Sequence, residues 1–313
     1  MLGPHDVGRR VVIRRIVGVR DNRTIFTDLL GQLVEYSEID ITVRTKAGAV
    51  RVPKSEIAKA KAVPDRRRPT ATEALELAAA AGWPAGERDR LGDWWLRATD
   101  GWSMRGNSVV PIGDPGLSIG EAIGAVEAWY RARRLPPAIS VPLPLLARLD
   151  GELERRGWFA APMTLVMTAA LDSIEVRAGE VRLDPKPSAE WLASVARRKG
   201  GLPASARRLL ESVPQVRFAS VYSASGALLA TARGVVADDE GRWLGISLVE
   251  TVPEARRGGL AQRMSAALAG WARPIGARDA YLQVEEHNAA AVALYTRLGF
   301  TVHHVYRPRI LSA

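Results

Sequence analysis

RRGGLA, Arg256 to Ala261, places two arginines and two glycines between a stretch that reads as a strand and one that reads as a helix. Upstream, GISLVETVP (Gly245 to Pro253) is apolar and rich in β-branched residues. Downstream, AQRMSAALAGWAR (Ala261 to Arg273) carries apolar residues at helical spacing with no internal proline. The glycines therefore open a helix. Gly258 and Gly259 lack a Cβ, so the backbone can bend sharply and a ligand can approach it closely. The first N–H groups of a helix have no intrahelical acceptor and favour an anion, phosphate above all. Arg256 and Arg257 add positive charge at the same place. Taken alone, a glycine pair before a helix is equally a loop that only turns the chain.

The next elements narrow the reading. DAYLQVEEHN (Asp279 to Asn288) reads as a strand with a polar end, and AAAVALYTRLGF (Ala289 to Phe300) as a short helix stopped by Gly299. Arg256, Gly259 and Ala261 match the Arg/Gln-x-x-Gly-x-Gly/Ala pyrophosphate loop of the GNAT superfamily of acyl-CoA-dependent N-acetyltransferases. Asn288 followed by ALYTRLGF (Ala293 to Phe300) matches that family's later signature, in order and in register. The chain thus resembles a GNAT acetyltransferase.

The resemblance implies acetyl-CoA as co-substrate, lying between the Gly245–Val252 strand and the Tyr281–Glu285 strand. Its pyrophosphate would rest on the amides of Arg257, Gly258, Gly259, Leu260 and Ala261. Edge amides near Thr251 and Val252 would pair with the pantetheine arm as an added strand does. Asn288 looks like the residue that contacts this arm, and it also suits a helix N-cap. Tyr295 matches the position from which relatives protonate the departing thiolate, with a packed aromatic as the alternative.

Attack on a thioester needs a neutral amine, so a group must accept a proton. Some relatives place a glutamate twelve residues before the tyrosine; this chain has Gln283 there, and an amide is no base. Glu250, Glu285 and Glu286 lie near the expected mouth of the cleft. Glu250 is preferred, because an acid among Leu248, Val249 and Val252 is out of pattern on a core strand.

Composition excludes other chemistries. The chain of 313 residues contains no cysteine, which removes disulfides, thiolate metal sites and thiol nucleophiles. His287, His303 and His304 lie near the expected site without ligand spacing, so no metal is expected. No leader or long apolar run is evident, and a cytoplasmic location is expected, with no membrane partner. The net charge of +10 suits polyanionic CoA. Its basic residues are scattered over short runs from Arg9–Arg10 to Arg207–Arg208, without a nucleic-acid-binding motif, so nucleic acid is not an expected partner.

Three parts are expected. Residues 1–63 alternate short β-like runs with turn signals at Asp21–Asn22, Gly31 and Gly48, a small-barrel pattern. It resembles the SH3-like or Tudor-like module attached to some actinobacterial acetyltransferases. Residues 64–72 read as a linker. Residues 73–171 resemble the degenerate first repeat of tandem GNAT proteins, with Trp94, Trp95 and Trp102 as candidate walls of the acceptor site or as core. Residues 172–313 form the catalytic part, with helices over 189–200 and 203–213 and a three-strand meander from 216 to 250. The fold class is α/β (α+β): a mixed sheet flanked by helices, preceded by the degenerate repeat and the barrel.

The expected partner is an amine acceptor, small molecule or protein, and a monomer is expected because a tandem chain supplies both walls of a cleft. A CoA-binding sensor without turnover, and an adaptor docking through the basic barrel, are the alternatives.

Overall fold

The structure, a computed structural model, describes residues 2–20, 23–45, 48–63, 69–175, 180–238 and 240–312. It divides into two compact units, Met1–Pro69 and Thr70–Ala313. The expected turn at Asp21–Asn22 and most of the expected linker, 64–68, lie outside the described residues.

The first unit contains β1 (Arg10–Arg20), β2 (Arg23–Tyr36), β3 (Asp40–Thr45), β4 (Gly48–Pro53) and β5 (Ile57–Ala62). They form an antiparallel sheet in the order β4-β3-β2-β1-β5. Alternate residues Val11 and Ile13, and Ile41 and Val43, turn to a common core with Leu33 and Val52, as a period of two requires. Among the described residues no pairing joins β4 to β5, so the expected barrel is an open sheet here. Gly31 is not a turn: it lies inside β2, where a Cβ would stand 2.3 Å from the Arg44 carbonyl oxygen on β3. Its glycine signal came from close strand approach.

The second unit begins with α1 (Ala71–Gly82), β6 (Glu87–Leu91), β7 (Trp94–Ala98), α2 (Ile119–Arg131), β8 (Ala138–Leu143), α3 (Ala147–Arg155), β9 (Phe159–Ala160) and β10 (Thr164–Ala170). It continues with β11 (Arg182–Asp184), α4 (Ala189–Lys199), α5 (Ala204–Glu211), β12 (Gln215–Tyr222), β13 (Leu228–Val236) and β14 (Trp243–Thr251). It closes with α6 (Leu260–Ala272), β15 (Asp279–Glu285), α7 (Ala289–Arg297) and β16 (Thr301–Ile310). Thr70 with Glu73, and Ser118 with Glu121, form reciprocal capping boxes that start α1 and α2.

One nine-stranded sheet runs β11-β12-β13-β14-β15-β10-β16-β8, with β9 beside β16. Its pairs are antiparallel except β14 with β15. The expected boundary at 171/172 therefore falls within a continuous sheet: β10 is hydrogen-bonded between β15 and β16, and β8 pairs with β16. On one face, α6 and α7 pack Met264, Leu268 and Tyr295 against Ala232, Leu244, Ile246 and Leu282. On the other, α4 and α5 bring Trp191 and Leu209 to Phe218 and Val235, while α1 sets Leu75 and Ala79 on Val166 and Tyr281.

No helix of the described residues is long and apolar enough to cross a membrane.

A buried ion cluster locks α3 to the last strand. Asp150 accepts from Arg309 Nε at 2.8 Å, Arg309 Nη2 at 3.0 Å and Arg307 Nη1 at 2.8 Å. Arg309, whose side chain is 2% exposed, would keep only the longer contact with the exposed Glu154, at 3.6 Å, without it. Asp150→Ala is expected to cost about 3 kcal/mol in urea unfolding. The hydrogen bond from Arg309 also holds the Asp150 carboxyl below its ordinary value. Its contribution is therefore complete above the ordinary Asp value, about pH 4, and is lost on acidification through the depressed pKa. The variant should show a shallower loss of stability with acid than the parent.

Candidate active site

The parallel ladder between β14 and β15 is short: Trp243 pairs with Asp279, and the last partners are Ile246 and Leu282. Beyond them the strands separate. The cause lies in β14, where Leu248 adopts φ +53° and the register against β13 shifts between Thr231 and Arg233. Ala232 faces two residues there, a β-bulge that bends the strand away from its parallel neighbour.

The separation opens a cleft of about 1210 Å³, lined by Glu250, Thr251, Arg256, Arg257, Asn288 and the start of α6. After β14, a 3₁₀ turn over Pro253–Ala255 leads to the glycine loop. Arg257 (φ +65°) and Gly259 (φ +73°) both take the left-handed conformation. Gly259 is the N-cap of α6 without a side-chain cap, and the first helical bond runs from Arg263 to its carbonyl. Among the described residues, no protein acceptor meets the amides of Arg257, Gly258, Gly259, Leu260 or Ala261. With the helix dipole behind them they form an anion site.

The expected residues divide. Glu250, Thr251, Arg256, Arg257, Gly259, Leu260, Ala261 and Asn288 line this one cleft, whereas Val252, Gly258 and Tyr295 do not. Val252 is turned the other way, its amide donating to Leu229 at 2.9 Å. The alternation of an antiparallel ladder then directs the Thr251 amide to the cleft side. Gly258 sits behind the loop, where a Cβ would stand 3.2 Å from the Ala255 carbonyl oxygen. Asn288 caps α7, its Oδ1 accepting from the Ala291 amide at 3.2 Å.

Tyr295 is buried edge-on against Phe300, and its hydroxyl makes no hydrogen bond among the described residues. Arg198, which lines the cleft, is close enough to act on it electrostatically. Burial pushes the phenol pKa well up, so Tyr295 holds its proton at neutral pH, as a proton donor must.

Glu250 accepts from the Ser194 hydroxyl of α4 at 3.1 Å, beside Arg198 on the cleft wall. Glu285 is exposed and paired with His287 at 3.2 Å, and Glu286 is exposed. Among the described residues no group of three His, Cys, Asp or Glu is placed to hold a metal ion.

A family model described as "Probable histone acetyltransferase Rv0428c C-terminal" matches residues 70–308. The chain belongs to this family. It is a GNAT-type acyltransferase with an N-acetyltransferase fold. It is 33% identical over 288 residues to the probable histone acetyltransferase Rv0428c of Mycobacterium tuberculosis, covering 89% of this chain and 87% of that one. It is 29% identical over 244 residues to the uncharacterized N-acetyltransferase YobR of Bacillus subtilis, covering 74% of this chain and 96% of that one. In fold it is similar to a GCN5-related N-acetyltransferase from Kribbella flavida, with a TM-score of 0.60 at 15% identity over 78% of this chain and 96% of that one.

In this GNAT-type fold the opposite side of the strand divergence was poorly legible. Of the candidate tryptophans, Trp94 is core, and Trp102 stacks on Trp83 at 5.8 Å. Trp83, which sequence reading did not select, borders a second polar cavity together with Arg105 and Arg233. Arg233 had the same signal that singled out Glu250, a charge inside an apolar strand (LLATARGVV).

Gly259→Asp puts a carboxylate on the α6 mouth in a backbone conformation that resists a side chain. CoA affinity by calorimetry should fall at least about a hundredfold. Tyr295→Phe should lower kcat about a hundredfold with CoA affinity retained; unchanged turnover would remove Tyr295 from the chemistry.

Proposed function

We propose that the enzyme transfers an acetyl group from acetyl-CoA to a primary amine by direct attack. The observation that carries this reading is the row of unpartnered amides from Arg257 to Ala261, facing the large cleft with Arg256 and Arg257 beside it. That donor set suits a diphosphate, and the cleft of about 1210 Å³ also takes in Thr251, beside which a pantetheine arm would lie. Asn288 would contact the arm while capping α7.

The Thr251 amide would orient the thioester arm. Glu250, steadied by Ser194, would receive the proton that the ammonium gives up. Tyr295 would donate its proton to the sulfur as the C–S bond breaks and the new C–N bond forms. The acceptor is proposed as a small-molecule amine, or a lysine or N-terminus of a protein; the name of the mycobacterial relative supports a protein arm.

The enzyme is proposed to be a cytoplasmic monomer that acts away from nucleic acid. Its N-terminal sheet is proposed as an SH3-like module that docks a protein partner or stabilises the chain. Gln283 in place of a carboxylate favours a second reading, a CoA-bound sensor without turnover.

Calorimetry with acetyl-CoA and release of free thiol against an amine panel separate the two. The proposed enzyme gives saturable binding and acceptor-dependent thiol, the sensor gives binding alone, and absence of both removes CoA from the account.

A further inference from the structure

On the sheet face away from α6, Ser247 and Gln283 are the first residues beyond the last paired positions of β14 and β15. Both border a cavity of about 10 Å³ under α1, with Trp83, Arg105, Arg233 and Tyr281. That volume holds one water. A second cavity, also about 10 Å³, lies across Arg105 and Gln283 and is bounded by Glu76, Arg97, Ser140 and Tyr306.

Arg233 is 0% exposed. Its Nε donates to the Leu210 carbonyl at 3.1 Å and its Nη1 to the Gly82 carbonyl at 3.0 Å. Those carbonyls lie at the C-terminal ends of α5 and α1, whose dipoles favour a cation, so the guanidinium is tolerated there without a carboxylate. Its third nitrogen, Nη2, is buried and meets no partner. The Ser247 hydroxyl and Gln283 Oε1 are buried and unpartnered as well. Three unmet polar atoms thus belong to residues that border one cavity, where a bound polar group would satisfy them.

Arg105 adds a second cation. It makes no hydrogen bond or ion pair among the described residues and stacks over Trp83 at 5.0 Å. Half-buried and held by stacking alone, it borders both cavities. The nearest acid bordering them, Glu76, is engaged by buried His304 at 2.8 Å.

We propose that these cavities mark the polar end of the acceptor subsite, and that it selects an amine carrying a carboxylate on a neighbouring carbon, a free amino acid. Arg105, Arg233 Nη2 and the Ser247 hydroxyl bind the carboxylate, and Gln283 Oε1 accepts from the amine. The inference rests on the acetyl-transfer reading above, since it puts the amine at the divergence where the thioester would arrive. Two cationic donors and one acceptor match a zwitterion. A lysine side chain brings one cation and an apolar stem, and the two guanidiniums repel it.

The subsite also gives Gln283 a purpose: its oxygen aims the nitrogen, and the proton goes elsewhere. In the reaction the ammonium releases one proton, its nitrogen forms the amide bond, the C–S bond breaks, and CoA leaves as the thiol with the second proton.

The test uses the full chain with acetyl-CoA and measures thiol release for the common amino acids. Each is matched with its amide and its decarboxylated amine, and a lysine peptide is run beside them. At least one amino acid should exceed its amide in kcat/KM by roughly a hundredfold. Arg105→Gln should collapse that ratio toward one, and Arg105→Lys should restore part of it, with CoA binding by calorimetry retained in both. Acetylation of the peptide without the amino acids, equal rates for acid and amide, or an equal slowing of both by Arg105→Gln would each overturn the subsite while leaving acetyl transfer intact. CoA binding with no turnover on any amine overturns both, and failure to bind CoA removes the underlying reading itself.

Discussion

The parallel pairing of β14 with β15 ends at Ile246 and Leu282, and both candidate ligand sites exist because it ends there. A continued ladder would consume the strand-edge groups and seal the sheet between its two faces. The bulge at Leu248 prevents this by inserting one residue against β13, which bends β14 while keeping its antiparallel partner. The stability of the sheet is therefore carried by β13 on one side and β10 on the other. The opening between β14 and β15 requires no break in either strand.

Helix ends supply the electrostatics on both faces of that opening. On the α6 face, an N-terminus without a side-chain cap presents amides to an anion. On the α1 face, the C-terminal carbonyls Gly82 and Leu210 hold a buried guanidinium in place. The same backbone dipole thus makes one face attractive to phosphate and gives the other a fixed cation that needs no carboxylate. Gly245 leaves room for Tyr281 on the α1 face: a Cβ there would stand 2.4 Å from the Tyr281 hydroxyl.

Sequence reading was strongest where local chemistry decides the structure. The glycine loop, the helix after it, the cap at Asn288 and the meander each follow from spacing within a few residues, and all of them form. It failed where the deciding contact is distant in the chain. Gly31 reads as a turn because glycine permits one, yet its reason is the Arg44 carbonyl across the sheet. Val252 reads as an available edge, but its amide is taken by Leu229. The partners of the stretch 163–171 were likewise not legible: β10 lies between β15 and β16, the last two strands in the chain.

The sequence by itself determined the phosphate-type loop, the order of elements around it, the candidate acid Tyr295 and the lack of a carboxylate at 283, because each depends on residue type and short spacing. Tertiary structure alone decided which strand edges stay open and that Arg105, Arg233, Ser247 and Gln283 meet at one point. The physical reason is that Arg105 comes from a 3₁₀ turn over Met104–Gly106 and the others from three strands brought together by sheet pairing, and that pairing is set by burial summed over the whole unit.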